Sequence, residues 1–217
     1  MLLLLLLSPS SPSAEEHPGV SPLLPLQLAE ASLRLPPGTH VLFEAATIEQ
    51  FLEQLDGSPP DWAALYGHGH HDPGHDERLF NLNRERDAKR TGNEALQWRI
   101  AFAWSGELST YDPDLGGFRV VLGPRFTSTG WGLVRFKYED LPGNLAAIPS
   151  PAQHEELSQQ LGRHRSIEID VVMIGTVIPE ESLVYDFSHD QEGLGLIMPV
   201  VRVERVLYLR APAQSHP

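Results

Sequence analysis

A histidine-rich segment near the middle of the chain has the residue types that bind transition metals. Its ten residues, GHGHHDPGHD, contain four imidazoles and two carboxylates: His68, His70, His71, His75, Asp72 and Asp76. Neutral imidazoles and carboxylates suit Zn²⁺, Ni²⁺ or Cu²⁺, and glycines allow a loop to fold around an ion. The spacing matches no defined zinc motif. The segment therefore predicts either a divalent metal site or a polar connector with weak metal affinity and no cofactor.

A second group of residues combines cations with aromatic rings on two expected strands. Its members are Arg119, Arg125, Trp131, Arg135 and Lys137. If Val134 and Phe136 face the core, a period of two places Trp131, Arg135 and Lys137 together on the outer face. An aromatic ring beside cations suits a glycan or another anionic polymer. The alternative interpretation is an ordinary solvated strand surface.

The sequence contains no catalytic motif that can be identified from spacing. It has no Gly-x-Ser-x-Gly elbow, no phosphate-binding glycine loop and no His-Glu-x-x-His pair. Ser188, His189 and Asp186 are neighbours in one acidic loop. The parts of a working triad normally converge from separate elements, so we predict no catalytic residues here.

The elements that must position these residues follow from hydrophobic periodicity. Residues 98–109 alternate strictly between apolar and small or polar side chains, which predicts a long strand with one buried face. Further strands are predicted over 118–122, 131–138, 167–178 and 198–209. A helix is predicted over 151–161, because Ser150, Pro151 and Gln153 form a helix start. A β-rich α+β fold is expected: an OB-like five-stranded Greek-key barrel with its helix between strands three and four. A different α+β sheet or roll with the same element order is the alternative.

The remainder of the chain divides into shorter parts. Residues 1–14 resemble a secretory signal, and 15–46 read as a Pro- and Ser-rich extended segment. Residues 47–92 are predicted to be helical around the histidine-rich loop. In that part Ile48, Phe51, Leu52 and Leu55 recur at helical spacing. The barrel is expected over 93–210, with a tail at 211–217.

Composition limits the classes of partner. The formal net charge of −13 disfavours nucleic acid, because an acidic surface repels polyphosphate. There is no cysteine, so disulfides and thiolate metal sites are excluded. No run of 18 apolar residues is present, so the chain without its signal is not expected to be an integral membrane protein.

These observations favour an exported, non-catalytic binding or accessory module that uses a barrel face. Its ligand would be a small molecule, a glycan or a protein partner, and the protein would be periplasmic or secreted. The first alternative is a protein that binds or handles a divalent metal through the histidine-rich loop. The second is a hydrolase whose residues cannot be identified from sequence.

Overall fold

The computed structural model describes residues 19–67, 72–181, 183–187 and 195–211. The expected signal segment, 1–14, lies outside this part, so export stays a prediction. Residues 212–217 of the expected tail lie outside it as well. Within the described residues, no helix combines the length and apolar character needed to cross a membrane.

The strands are β1 (Val20–Leu24), β2 (His40–Leu42), β3 (Arg99–Asp112), β4 (Gly117–Gly123), β5 (Thr127–Thr129), β6 (Gly132–Val134), β7 (Lys137–Glu139), β8 (Ala146–Ile148), β9 (Glu168–Val177), β10 (Leu183–Phe187) and β11 (Gly195–Leu209). The α-helices are α1 (Ala45–Asp56), α2 (Trp62–Tyr66), α3 (His75–Arg90) and α4 (Pro151–Gly162).

Six strands close a mixed barrel in the order β1, β8, β4, β3, β9, β11 and back to β1. Strand β1 runs parallel to both of its neighbours, β8 and β11, whereas the other four contacts are antiparallel. The prediction of a β-rich α+β fold with a barrel is confirmed. The wall differs from the predicted five strands in two ways. The segment expected over 15–46 contributes β1, and β8 takes the place of the third strand predicted over 131–138, which forms β6 and β7 outside the wall.

The inside of the barrel contains the apolar residues that alternate along β3. Ile100, Phe102 and Leu108 are almost completely buried there. Gly106 interrupts this series because a Cβ at its position would lie 2.6 Å from the Val171 side chain on β9. Glycine therefore leaves room for apolar side chains of the neighbouring strands, and the alternation predicted for 98–109 is confirmed.

The outside of β3, β9 and β11 is partly covered as well. The chain between β1 and α1 includes a short 3-10 helix, Leu28–Arg34, that packs over these strands. Ala101 is fully buried under this cover, and Ala103 is only 9% exposed. The expectation that just one face of β3 is buried is therefore wrong over this half of the strand. The leucines of the Pro- and Ser-rich segment supply the covering apolar surface.

The helices form where local signals predicted them. Helix α1 buries Ile48, Phe51, Leu52 and Leu55 and stops at Gly57, which has a φ of 77°. Helix α4 begins with the expected capping box between Ser150 and Gln153. By contrast, α3 buries two arginines instead of an apolar stripe, because both bind the carboxylate of Asp56 at the end of α1.

The strand predicted over 131–138 is divided in two. Strand β6 pairs with Leu196 and Ile197, whereas β7 pairs further along β11, with Val200–Arg202. The two residues between these strands, Arg135 and Phe136, belong to neither. Val134 and Phe136 are nevertheless both buried and Lys137 is exposed, so the expected period of two holds from residue 134 onwards.

Candidate functional site

Those predicted metal ligands that the structure describes form hydrogen bonds and ion pairs with one another and with other residues at the start of α3. The Asp72 carboxylate accepts a hydrogen bond from the Gly74 N–H and is paired with Arg78, both at 2.9 Å. His75 contacts the Asp72 carbonyl oxygen through Nδ1 at 2.8 Å and the Asp76 carboxylate through Nε2 at 2.9 Å. The described ranges contain no group of three or more His, Cys, Asp or Glu residues that could hold a metal ion. His68, His70 and His71 lie outside these ranges, so the metal site stays a prediction.

Three of the predicted ligand-binding cations are paired with carboxylates of the barrel. Arg119 donates two hydrogen bonds to Asp112, at 3.0 and 2.7 Å. This contact lowers the pKa of Asp112 below its ordinary value. Arg125 Nη1 donates to Asp170 at 2.9 Å. Lys137 lies 3.8 Å from the carboxylate of its neighbour Glu139. An anionic ligand would have to compete with these carboxylates.

Trp131 does not lie on the exposed face where it was predicted. It is only 6% exposed and belongs to the hydrophobic core. Its carbonyl oxygen accepts a hydrogen bond from Trp62 Nε1 at 2.7 Å, and the guanidinium of Arg86 lies 5.8 Å from the centre of its ring. Its predicted position on the outer face is wrong because Trp131 lies in the turn between β5 and β6, where the alternation of a strand does not apply. A ligand cannot stack on Trp131 in this arrangement.

Arg135 differs from the other predicted cations because the described residues provide no carboxylate for it. Its Nη2 donates to Met198 Sδ at 3.4 Å, and its guanidinium carbon lies 5.7 Å from the centre of the Phe126 ring. Its Nε is buried without a hydrogen-bond partner. Within the predicted cationic face, the guanidinium of Arg135 thus has an N–H group that donates no hydrogen bond.

Two adjoining open cavities on the barrel wall form a more extensive site. The first, of about 470 Å³, lies against β3, β4, β9 and the end of β11. The second, of about 710 Å³, lies between the β3–β4 hairpin and the C-terminal end of α4. Glu107 and Val121 line both cavities. The two therefore make one continuous depression, which we call the wall groove.

The middle of the wall groove is apolar and open to solvent. The side chain of Val121 is 59% exposed, and that of Tyr111 is 40% exposed. The Tyr111 ring packs edge-on against Phe118 and His154, with ring centres 5.2 and 4.6 Å apart. These contacts hold the tyrosine in place while leaving part of its ring accessible.

An acidic pair lies where the two cavities of the wall groove meet. Glu107 on β3 lies directly opposite Glu168 on β9, and both are exposed. Like charges in opposite positions destabilise a strand pair. Within the described part of the chain neither glutamate has a salt-bridge partner, although Asp170 beside them is paired with Arg125. This part of the groove is suited to a cationic group.

The rim of the wall groove next to α4 is basic, and the C-terminal end of that helix positions it. The Arg165 N–H donates to the Gln160 carbonyl at 3.2 Å, and the His164 N–H donates to the Leu161 carbonyl at 2.9 Å. This pattern is a Schellman motif, in which glycine is the usual residue with positive φ. Here His164 occupies that position with a φ of 55°. The motif places the exposed His164 and Arg165 at the rim of the groove.

Sequence reasoning did not identify the wall groove. One signal was available, because the alternation of β4 puts Phe118, Val120 and Leu122 on one face and leaves Val121 on the other. An apolar side chain on the outer face of a strand is a sign of a contact surface. The juxtaposition of Glu107 and Glu168, however, depends on the register of two strands that are distant in sequence.

Comparisons with known proteins provide no match for this chain. No family model matches it, and neither a curated protein nor a solved structure matches it. Its function has to be inferred from the arrangement of its own residues.

Proposed function

We propose that this protein is a non-catalytic binding module that recognises an extended segment of a partner protein in the wall groove. The preferred segment carries an apolar side chain next to a basic one. The apolar side chain contacts Val121 and Tyr111, and the basic one lies near Glu107 and Glu168.

The observation that carries this proposal is the continuity of the two cavities through Glu107 and Val121. An exposed apolar strip rimmed by charged residues is typical of protein contact surfaces. Small-molecule sites, in contrast, enclose most of the ligand surface. The wall groove is open along its length and has an acidic pair where its cavities meet and a basic rim next to α4, which suits a chain lying across the surface.

The charge of the whole protein supports a partial preference for basic partners. With a formal net charge of −13, the surface attracts cationic proteins at long range and accelerates their encounter. Arg165 and His164 add a local basic end that can contact an acidic residue or a C-terminal carboxylate of the bound segment. The combination favours a specific orientation of the segment in the groove.

An OB-like module that has gained one strand is the architecture that we propose for the wall. In chain order, the wall strands β3, β4 and β8 precede α4, and β9 and β11 follow it. This order of three strands, a helix and two strands supports the proposal, with β8 in the place predicted for 131–138 and β1 inserted between β8 and β11. OB barrels commonly bind ligands on their walls and adjoining loops, which supports a binding role for this one.

A random peptide library displayed on phage tests the proposal. We expect enrichment of peptides with a basic residue beside an aromatic or aliphatic one. Binding of synthetic copies should weaken at least about tenfold in Val121→Asp and in Glu107→Lys. The matched control is Leu33→Asp, which changes another exposed apolar residue, 81% exposed, away from the groove.

Two results would contradict the proposal. One is the absence of peptides that prefer the unmodified protein over Val121→Asp. The other is equal loss of binding in Leu33→Asp, since that loss would reflect a general change of surface charge. Circular dichroism of each variant verifies that the fold is retained.

A further inference from the structure

A third cavity, of about 480 Å³, lies at the opposite end of β3 from the wall groove. It is bounded by β2, by one face of α1 and by Trp98, which immediately precedes β3. Glu107 lies nine positions after Trp98, which corresponds to about 30 Å along a strand. This cavity, which we call the α1 groove, is a separate site from the one assigned to a peptide.

Among the residues that the structure describes, none that lines the α1 groove carries a carboxylate, ammonium or guanidinium group. Its polar side chains on the helix are Thr47, Gln50 and Gln54, which recur at i, i+3 and i+7 and so form one row along α1. This neutrality contrasts with a chain that has 16 basic and 29 acidic residues. A charged ligand gains no ionic contact here, whereas a neutral ligand with many hydroxyls finds a row of hydrogen-bonding groups.

An aromatic pair forms a flat part of the lining. The rings of His40 and Trp98 are parallel, with an interplanar angle of 4° and centres 3.9 Å apart. The buried ring of Phe51 lies 6.2 Å from Trp98 and supports it from the core. His40 is exposed and Trp98 is partly exposed. The pair therefore offers a rigid planar surface that does not have to be ordered when a ligand binds.

Several polar groups around the groove remain available to a ligand. In the parts of the chain that the structure describes, no hydrogen bond involves the imidazole of His40, the amides of Gln50 and Gln54 or the indole N–H of Trp98. Each amide has donors and an acceptor, and the indole has a donor. These groups can therefore bond to hydroxyls without first breaking an internal contact.

We propose that the α1 groove binds a neutral saccharide. A pyranose ring has one face of C–H groups, which packs against a flat aromatic surface, and a rim of hydroxyls, which bond to amides. The groove has both components, and its lack of formal charge distinguishes a neutral sugar from a uronate or a phosphorylated ligand. This site is independent of the wall groove, so either assignment can fail alone.

NMR titration of the isotope-labelled protein with cellotetraose, maltotetraose and chitotetraose tests the assignment. We expect at least one of these sugars, at up to about 10 mM, to shift amide signals of residues 40–54 and 98. The double variant Gln50→Ala/Gln54→Ala should weaken that binding at least about tenfold. Both glutamines are exposed, so the variant should retain the fold. Gln159→Ala, an exposed glutamine on α4, is the matched control and should bind normally.

The assignment is overturned if none of the three sugars shifts these signals at that concentration. It is also overturned if the double variant binds as well as the unmodified protein, or if the shifts map to residues outside the groove. Adenine, a neutral planar molecule without hydroxyls, serves as a second probe. A stronger response to adenine than to every sugar would show that the aromatic surface alone is recognised and would overturn the saccharide assignment.

Discussion

Arg90 binds the buried carboxylate of Asp56 through two parallel hydrogen bonds, from Nε to Oδ1 at 2.5 Å and from Nη2 to Oδ2 at 2.7 Å. Both side chains are almost completely removed from solvent, and Arg86 lies 3.0 Å from the same carboxylate. This contact joins the end of α1 to α3. The contact holds α3 against α1, because α3 is polar and its few apolar side chains contribute little packing.

Loss of the Asp56 carboxylate should therefore be costly. We expect Asp56→Ala to lower the free energy of unfolding by about 3–5 kcal/mol, because two buried guanidinium groups lose the anion that they share. Urea denaturation measures the change. Asp87 also contacts Arg90, but its side chain is 53% exposed, so Asp87→Ala should cost less than about 1 kcal/mol. Equal losses in the two variants would contradict this interpretation.

The cover over the outer face of β3 leads to a second prediction. Ala101 is fully buried under the chain between β1 and α1, whereas Ser105 on the same face is exposed. We expect Ala101→Lys to lower the free energy of unfolding by at least about 3 kcal/mol, because it buries an unpaired charge. Ser105→Lys should change it little, within about 0.5 kcal/mol. Similar denaturation curves for both variants would show that Ala101 is not covered.

Two substitutions at the C-terminal end of α4 should raise the free energy of unfolding. His164 has a positive φ, and a Cβ added to Gly162 would meet no atom within 4 Å. We expect His164→Gly to raise the free energy of unfolding by about 1 kcal/mol, since it relieves left-handed strain. Gly162→Ala should add about 0.5–1 kcal/mol by reducing the freedom of the unfolded chain. Thermal unfolding checks both, and a lower melting temperature in either variant would contradict the described helix end.

Arg135 and Arg125 should respond in opposite ways to the same substitution. Arg135 has a buried Nε without an acceptor, so Arg135→Met should raise the free energy of unfolding by about 1 kcal/mol. Arg125 is paired with Asp170 and is 37% exposed, so Arg125→Met should lower it by less than about 1 kcal/mol. A clear loss of stability in Arg135→Met would mean that its guanidinium has an acceptor in solution.

The carboxyl of Asp112 should titrate below its ordinary pKa. The hydrogen bonds from Arg119 are the main cause, supported by N–H groups of Leu115 and Asp114. Because the pKa is lower in the folded protein, ionised Asp112 stabilises the fold above its unfolded pKa. This contribution disappears as the pH falls through the folded value. Carbon-detected NMR should show that Arg119→Gln raises the pKa, whereas Arg202→Gln, which affects the Asp140 pair instead, leaves it unchanged.

Local spacing in the sequence was sufficient to determine most of the elements. The alternation from Ile100 to Leu108 specified a strand, the apolar stripe of α1 specified a helix, and Ser150 with Gln153 specified where α4 begins. These features depend on residues within a few positions of each other, because helix caps, turns and one-sided strands are stabilised by near neighbours. Two wall strands before α4 and two after it followed from these signals and favoured a barrel, whereas the third wall strand before α4 is β8 instead of the predicted strand over 131–138.

Only the tertiary structure decided which surfaces are covered and which charges are paired. The N-terminal segment supplies β1 and the cover over Ala101, Trp131 lies in the core, and Arg119 and Arg125 are bound by Asp112 and Asp170. The acidic pair Glu107 and Glu168 arises from the register of β3 and β9. Arg119 reaches Asp112 through the β3–β4 hairpin, whereas the other contacts join residues distant in sequence, whose proximity is set by chain closure. The wall groove and the α1 groove are therefore properties of the closed fold, whereas the strands and helices that line them are properties of the sequence.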